Sequence, residues 1–524
     1  MAISNVGSLV LNLIIFLTTL VNFNNTLTGL DSSTIFVLRL TDVPIANGYE
    51  SPRPQFLTNG DNINLNGSHA NLDGDSRYRG HGEGNISGQV QGNDAQALQD
   101  DTSLTELGQQ SDEEATKKKY GIRDRIGCFT WTWFTMTMAT GGIANVLHTI
   151  PYRSEWLRVL GVIVFLFNII LFLFICSLIS LRFRWNPGSF RSSFISPSEC
   201  LFIPACVVSV GTILINMAQY GLPRTGPWFH TVMQVCFWGY ASISFIASSG
   251  MYLIIWSTQE FPIHTMTPIW IFPAYPALLL APLASNIISS LPDDASAERI
   301  NSIAIAYGAV CVQGTGFMVS LMIYSAFIYR LMTQKLPREN RRPGMFVSVG
   351  PSGFTVSGLV NLGLVVNRIF PESYMGHSGG ARLIFRIFSL MAGLWIYGLC
   401  IWFFLVSIGA HLQVMKPNDA EHHIHFDMTW YSFVFPNTAL ITATFAVGES
   451  LNSHAIRIIG TVLSGLLVCL WIFIFYMMIR ALVFKKILWP GRLDGSEISW
   501  RKWISGGLAV TEEKTSRGSD NTNV

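Results

Sequence analysis

The chain has 524 residues, of which half are hydrophobic and only 13% are charged, with a net charge of +2 and a mean hydropathy of +0.38. A soluble chain carries about a quarter charged residues, so the composition excludes an ordinary soluble protein. No stripe of Lys and Arg points to a nucleic-acid partner. The eight cysteines are scattered through apolar stretches without a Cys-x-x-Cys pair, which argues against a disulfide framework or a zinc site. We predict an all-α integral membrane protein without cofactor or metal.

The N-terminal part of the chain differs from the rest. Residues 22–120 are rich in Asn, Gly, Asp and Ser and lack a sustained apolar period. Such a segment cannot bury enough apolar surface to offset its ordering entropy, so we predict that residues 1–120 form a disordered polar tail. A short apolar patch at 6–21 leaves two interpretations open. A signal peptide would place the tail outside the cell, where Asn24, Asn66 and Asn85 are glycosylation acceptors; we favour an interfacial patch within a cytoplasmic tail.

Ten apolar stretches follow, each long enough for the ~20 residues that a transmembrane helix needs. Their connections are mostly short, which predicts antiparallel neighbours and therefore five helical hairpins around a central axis. We assign residues 121–492 to this membrane domain and 493–524 to a disordered cytoplasmic tail. The predicted spans are 126–148, 157–180, 199–220, 228–255, 268–289, 302–330, 346–368, 383–411, 428–447 and 456–483.

Loop charges predict the orientation. Cations cluster before the first span and after the tenth, and in the loops that follow the second and sixth spans. The other loops are poorer in cations, and the loop before the eighth span, with Arg368 and Arg382, is a weak exception. Because cytoplasmic loops carry an excess of Lys and Arg, we expect both termini in the cytoplasm of a plasma-membrane protein.

The chain contains no phosphate-binding loop and no His-Glu-x-x-His pair. This pattern argues against an enzyme. Three histidines, His422, His423 and His425, precede the ninth span. We interpret them as solvated loop residues, with a pH-sensitive gate element as the alternative. A transporter or channel is left.

Phe435 is the candidate gate of such a pore. It precedes Pro436, which lacks an amide hydrogen and leaves a carbonyl that protein or water must satisfy. The spans are nearly free of internal Lys and Arg, with Arg386 about a turn inside the eighth, so a small anion would be held weakly. Close helix packing is the alternative role for the hydroxyl and helix-breaking residues. The candidate pore-lining residues are Thr135, Thr137, Thr140, Pro273, Ser352, Thr355, Pro436, Asn437 and Thr438.

Several motifs resemble those of a known family. The first span contains FTWTWFTMTMATGG, at 129–142, and RPGMFVSVGP, at 342–351, leads into the seventh. The ninth span contains FVFPN, at 433–437, and the tenth ends in MIRAL, at 478–482. Over residues 120–492 the chain resembles the tellurite-resistance/dicarboxylate transporter family, most closely its fungal malic acid transport branch. Sulfite efflux pumps belong to the same family, and plant slow anion channels are related.

The resemblance implies ten helices in five hairpins around a pore, with the odd-numbered helices inside. It implies that a ninth-helix phenylalanine, here Phe435, occludes the pore, and that the protein forms a homotrimer. The expected cargo is malate or another C4-dicarboxylate, carried with proton coupling or by facilitated passage. Sulfite efflux is the alternative within the fold, and a non-transporting membrane sensor is the alternative from another class.

Overall fold

The computed structural model describes residues 121–291, 300–372, 374, 379–412, 426–485 and 487–489. Several predictions lie outside these residues. They concern the two tails at 1–120 and 493–524, the apolar patch at 6–21, the glycosylation acceptors Asn24, Asn66 and Asn85, and the loop histidines His422, His423 and His425.

All regular secondary structure in the described residues is helical, which agrees with the predicted all-α class. Long helices follow one another along the chain, with short turns of helix between some of them. The long helices are α1 (Phe134–Thr149), α2 (Glu155–Trp185), α3 (Pro204–Asn216), α4 (Trp228–Thr258), α5 (Leu280–Ser289), α6 (Ser302–Gln334), α7 (Val349–Leu364), α8 (Gly380–Leu412), α9 (Phe435–Ser450) and α10 (His454–Val483).

Eight helical stretches in the described part of the chain are long and apolar enough to cross a membrane, so the protein is a multi-pass membrane protein. The predicted first and ninth spans contain α1 and α9, which have only 16 residues each. Each of these two helices is preceded by a 3₁₀ turn, Trp131–Trp133 before α1 and Met428–Phe433 before α9. A 16-residue helix is about 24 Å long, which is shorter than the ~30 Å hydrocarbon core.

Burial divides the helices into two layers. In the spans that contain α3, α5 and α7, 78–94% of the most apolar window is buried, against 22–39% in α2, α4, α6, α8 and α10. The short helices α1 and α9 are buried on every side, from Phe134 to Leu147 and from Phe435 to Gly448. A helix that is apolar all round lies inside a protein, so α1, α3, α5, α7 and α9 form an inner layer that the even-numbered helices surround.

The inner helices pack in a closed ring, in the order α1, α3, α5, α7, α9 and back to α1, with the 3₁₀ segment Pro268–Leu279 completing the α5 position. Each outer helix packs against an inner one, for example α8 against α7 and α10 against α9. Two close approaches between inner helices depend on glycine. A Cβ on Gly353 of α7 would lie 2.7 Å from the carbonyl carbon of Ala439 on α9, and one on Gly142 of α1 would lie 2.8 Å from Thr438 Oγ1. Small residues thus let these helix backbones touch.

The inner helices run parallel to one another, because contacts between neighbours advance in the same direction along both. Near the start of α1, the carbonyl of Phe134 accepts from Ser209 of α3, and near its end the carbonyl of Ala144 accepts from Tyr220. The N-terminal ends of the inner helices therefore lie on one side of the ring and their C-terminal ends on the other. Backbone dipoles make the first of these sides the more favourable one for an anion.

Candidate gate and pore

Phe435 is fully buried at the start of α9, where three inner helices meet. Its ring centroid lies 5.2 Å from that of Phe354 on α7 and 6.0 Å from that of Tyr275, which precedes α5. These distances fall in the range of favourable tilted aromatic pairs. The three rings form an aromatic cluster that fills the space between α5, α7 and α9 at this level of the ring.

Pro436 lies in the first turn of α9, where a missing amide hydrogen is tolerated, and not at a kink within a longer helix. The carbonyl of Phe433, three residues earlier in the 3₁₀ turn, loses its ladder partner at this proline. It accepts a hydrogen bond of 2.8 Å from Asn437 Nδ2. The prediction that protein or water must satisfy a freed carbonyl here is confirmed, and the side chain that does so is one of the predicted pore residues.

A second carbonyl freed by a proline lies beside the candidate gate. Pro351 of α7 has no amide hydrogen to donate to the carbonyl of Val347, four residues earlier. The hydroxyl of Tyr275 donates to that carbonyl instead. A Cβ on Gly350 would lie 2.2 Å from the same hydroxyl oxygen, so this glycine makes room for it. Tyr275 is thus held both by its ring, which lies against Phe435, and by its hydroxyl group.

Pro273, another predicted pore residue, is buried in the 3₁₀ segment Pro268–Leu279. The carbonyl of Trp270, three residues before it, accepts a hydrogen bond of 3.1 Å from the hydroxyl of Tyr252 on α4. An outer helix therefore satisfies a backbone group that this proline leaves free, as non-helical backbone at membrane depth requires.

Two predicted pore threonines of α1 connect inner helices. Thr135 Oγ1 donates to the carbonyl of Met428, before α9, at 3.1 Å. Thr137 Oγ1 lies 2.6 Å from the hydroxyl of Ser209 on α3. On α9, the Thr438 hydroxyl donates to the carbonyl of Phe435 at 2.6 Å. These three side chains lie on the inner ring at and next to the level of Phe435.

Three other predicted pore hydroxyls face outer helices. Each lies on an inner helix, is buried, and has a polar neighbour on an outer helix within 3.5 Å. The contacts are Thr140 with Trp471 of α10, Ser352 with Tyr324 of α6, and Thr355 with Gln313 of α6. Such contacts suit the packing interpretation that the sequence left open, and their place on a permeation path stays a prediction.

Charged groups are absent from the stretches of the inner helices that are buried on every side, as the sequence of α1 and α9 shows. Arg386 is exposed on α8, in the outer layer. The buried cations of the described residues are Arg182 and Arg330, both near the ends of outer helices. Arg182 forms a two-pronged ion pair with Glu199, at 3.0 and 3.1 Å. A solute inside the ring would therefore meet backbone dipoles and hydroxyl groups, and it would meet no charged side chain from these buried stretches.

The sequence interpretation missed Tyr275 and Phe354. Both lie in segments that contain several prolines or glycines, Pro273–Pro276 and Gly350–Phe354. The sequence did offer a signal for these two residues. Each is an aromatic residue in a short stretch of helix-breaking residues, where few other side chains are bulky and apolar.

Comparison with known proteins finds a channel family and several transport proteins. A family model described as voltage-dependent anion channel (SLAC1) matches residues 128–479. A malic acid transport protein of Schizosaccharomyces pombe is 30% identical over 374 residues, which are 71% of this chain and 82% of that protein. A sulfite efflux pump of Trichophyton rubrum is 24% identical and aligns with 70% of this chain and 94% of its own. An uncharacterized transporter of Methanocaldococcus jannaschii is 25% identical over 67% of this chain.

The family match covers more than half of the chain, and it extends from before α1 into α10. The resemblance inferred from the motifs is confirmed. The chain belongs to the voltage-dependent anion channel and tellurite-resistance/dicarboxylate transporter family, and it is an anion transporter of that family.

Proposed function

We propose that the protein carries malate or another C4-dicarboxylate through a central pore of the inner ring, and that Phe435 gates this pore. The cargo is inferred from similarity: the malic acid transport protein is 30% identical to this chain, whereas the sulfite efflux pump is 24% identical. Malate is an anion small enough to pass between helices that offer hydroxyl groups and helix N-termini.

The observation that carries the gate is the position of Phe435. The residue is fully buried, is held between Phe354 and Tyr275, and begins a helix that is itself surrounded by protein. A hydrophobic constriction blocks an aqueous path by excluding water, and a change in side-chain rotamer or helix position opens it. The cluster has no charge, so an anion passes it without a deep binding well.

The architecture that accompanies this function is ten helices arranged as five hairpins around the pore. We propose that the protein forms a homotrimer in the plasma membrane, surrounded by lipid, with both termini in the cytoplasm. The 16-residue helices α1 and α9 cross with the help of the 3₁₀ turns before them. Protease protection of tags at the two termini, in intact and permeabilised cells, tests the orientation.

Because the inner helices lack fixed charge where they are fully buried, the pore favours throughput over affinity. Of the predicted pore residues, Thr135, Thr137 and Thr438 lie best for contact with the cargo, since they line the ring at the gate level. Proton coupling remains part of the proposal for malate, whose carboxyl groups titrate in the acidic range.

Flux measurements with the purified full-length protein in liposomes test the proposal. Radiolabelled malate and sulfite are offered separately, with and without a pH gradient, and protein-free liposomes serve as the control. We expect malate uptake above the control, and uptake that rises with inward acidification if protons are coupled. Uptake of sulfite without malate would replace the proposed cargo by the alternative, sulfite efflux. The absence of flux for either anion would favour a non-transporting sensor.

A further inference from the structure

Three carboxamide side chains meet at the C-terminal side of the inner ring, away from the gate. Gln219 Nε2 donates to Asn145 Oδ1 of α1 at 2.7 Å and to Asn286 Oδ1 of α5 at 3.1 Å. Gln219 follows α3, so the cluster joins three of the inner helices. No charged residue takes part in these hydrogen bonds.

The hydrogen bonds of this cluster are incomplete. Both protons of Gln219 Nε2 are used, while Gln219 Oε1 is buried without a partner in the structure. Asn286 Nδ2 donates to the carbonyl of Pro282 at 2.7 Å. Among the hydrogen bonds of the described residues, none involves Asn145 Nδ2. Gln219 Oε1 is therefore a buried acceptor without a partner, and buried polar groups are as a rule paired, so an occupant is expected.

The backbone around Gln219 is unusual. Residues Met217–Gly221 form a π-helical turn at the end of α3, a rare geometry that recurs at functional sites. Tyr220 supports this turn from the other side, where its hydroxyl donates to the carbonyl of Ala144 and its ring packs edge-on against His148. The π turn thus positions Gln219 without using its side-chain carboxamide group.

Asn286 gives the cluster access to solvent. Asn145 and Gln219 are 7% and 5% exposed, whereas Asn286 is half-buried and lies one turn before the end of α5 at Ser289. At this side of the ring the helices end in unpaired carbonyl groups, which repel an anion. A donor such as Asn145 Nδ2 is the kind of group that an anion leaving or entering here requires.

We propose that Asn145, Gln219 and Asn286 form a neutral binding site for the hydroxyl-bearing end of a C4 hydroxy-acid. The proposal rests on the malate transport proposed above. Asn145 Nδ2 donates to a carboxylate oxygen of the substrate, and Gln219 Oε1 accepts the hydrogen of its hydroxyl. Asn286 orients the Gln219 amide and borders the opening. The site would distinguish malate from succinate, which has the same carbon chain and both carboxylates but lacks the hydroxyl.

The experiment compares malate and succinate flux for the wild-type protein and for Gln219→Met, in liposomes that contain the full-length chain. Methionine keeps the length of the side chain and removes its hydrogen bonds. We expect the ratio of malate to succinate flux to fall about tenfold, which corresponds to about 1.4 kcal/mol of lost discrimination. Succinate flux should change little, because succinate does not use the acceptor.

Gln313→Met is the matched control. Gln313 is also a buried glutamine between helices, but it bonds to Ala281 N and Thr355 Oγ1, away from the cluster. Its loss should lower stability without changing the malate to succinate ratio. A similar fall in both variants would attribute the effect to loosened packing and overturn the inference.

The remaining outcomes also decide. An unchanged ratio in folded Gln219→Met overturns the binding site and leaves the proposed transport function standing. If Gln219→Met does not fold, Asn286→Ala at the more exposed position is judged by the same ratio. If the wild-type protein moves neither acid, the proposed function fails, and this inference fails with it.

Discussion

The inner and outer helices of this protein bury their surfaces in opposite ways. Inner helices such as α9 are covered on every side and approach one another through glycine, alanine and threonine. Outer helices such as α8 carry large apolar residues towards the surroundings, for example Trp395, which is 85% exposed. Lipid is as apolar as these side chains, so an outer surface needs only to be hydrophobic. The inner helices must in addition fit one another closely, because van der Waals packing holds them together.

This difference explains where the chain departs from regular helix. Segments of 3₁₀ helix precede the inner helices α5, α7 and α9. Neighbouring side chains, such as Tyr275 and Asn437, satisfy carbonyl groups there. No such neighbours exist on a lipid-facing surface. Broken helix is therefore tolerated inside the ring, where it can also serve a pore.

The largest effect should follow from adding a side chain where two inner helices touch. In Gly353→Leu the Cβ would lie 2.7 Å from the backbone of Ala439, and backbone cannot rotate away. Overpacking typically costs about 1–3 kcal/mol, and this contact should exceed that range and prevent accumulation of folded protein. Size-exclusion profiles and thermal unfolding in detergent measure the result.

Gly398→Leu is the control on the outer helix α8, where a Cβ would meet nothing within 4 Å. It should fold normally. If both variants fold equally well, the packing of α7 against α9 is looser than the structure indicates, and the contrast between the two layers loses its basis.

Phe435→Ala should raise the basal anion flux, because it removes the ring from the proposed gate without removing a binding charge. We expect an increase of about tenfold, as for a barrier lowered by about 1.4 kcal/mol. The lost packing against Phe354 and Tyr275 should also cost about 3–5 kcal/mol of stability. Flux is therefore normalised to the amount of folded protein in the liposomes.

Phe388→Ala serves as the matched variant, since Phe388 is 65% exposed on α8. It should change neither flux nor stability appreciably. Unchanged flux in folded Phe435→Ala would count heavily against the gate, and an equal rise in both variants would point to leakage through the lipid.

One end of the outer helix α2 is buried like the inner helices, and it allows a buried ion pair to be compared with an exposed one. Arg182 of α2 pairs with Glu199, and both are buried, so Arg182→Gln would leave a carboxylate without its partner. Breaking a buried pair costs about 3–5 kcal/mol. The exposed pair of Arg158 and Glu155 on the same helix should contribute at most about 1 kcal/mol. Thermal unfolding of Arg182→Gln and Arg158→Ala, side by side, measures the difference; equal shifts would refute it.

Sequence alone was sufficient for the membrane class, the family and the approximate positions of the helices. Long apolar stretches with few charges are specific signals of membrane-spanning helices. The motif around Phe435 lies at the start of α9, and Phe435 is buried there. The lengths of α1 and α9 were not predictable. Apolar 3₁₀ turns before these helices have the same composition as the helices, so hydropathy does not mark the boundary.

The direction in which an inner side chain faces was also beyond the sequence. A helix buried all round has no polar side, so nothing indicates that Thr140 lies against Trp471 or that Thr135 lies against the segment before α9. For the same reason Tyr275 and Phe354 were missed as neighbours of Phe435. Their contacts depend on how three helices meet, which is a property of the ring and not of any one segment.

Asn437→Ala should have the smallest effect on transport. Its amide satisfies the Phe433 carbonyl, so its loss leaves a buried acceptor unpaired and should cost about 1–3 kcal/mol of stability. A neutral pore shares its contacts with the solute among many groups, so malate flux per folded protein should change less than about twofold. Thr135→Val, which removes a hydrogen bond to the Met428 carbonyl, should behave similarly. Abolished flux in normally folded Asn437→Ala would instead make this amide a principal ligand, and the weak-binding pore would have to be abandoned.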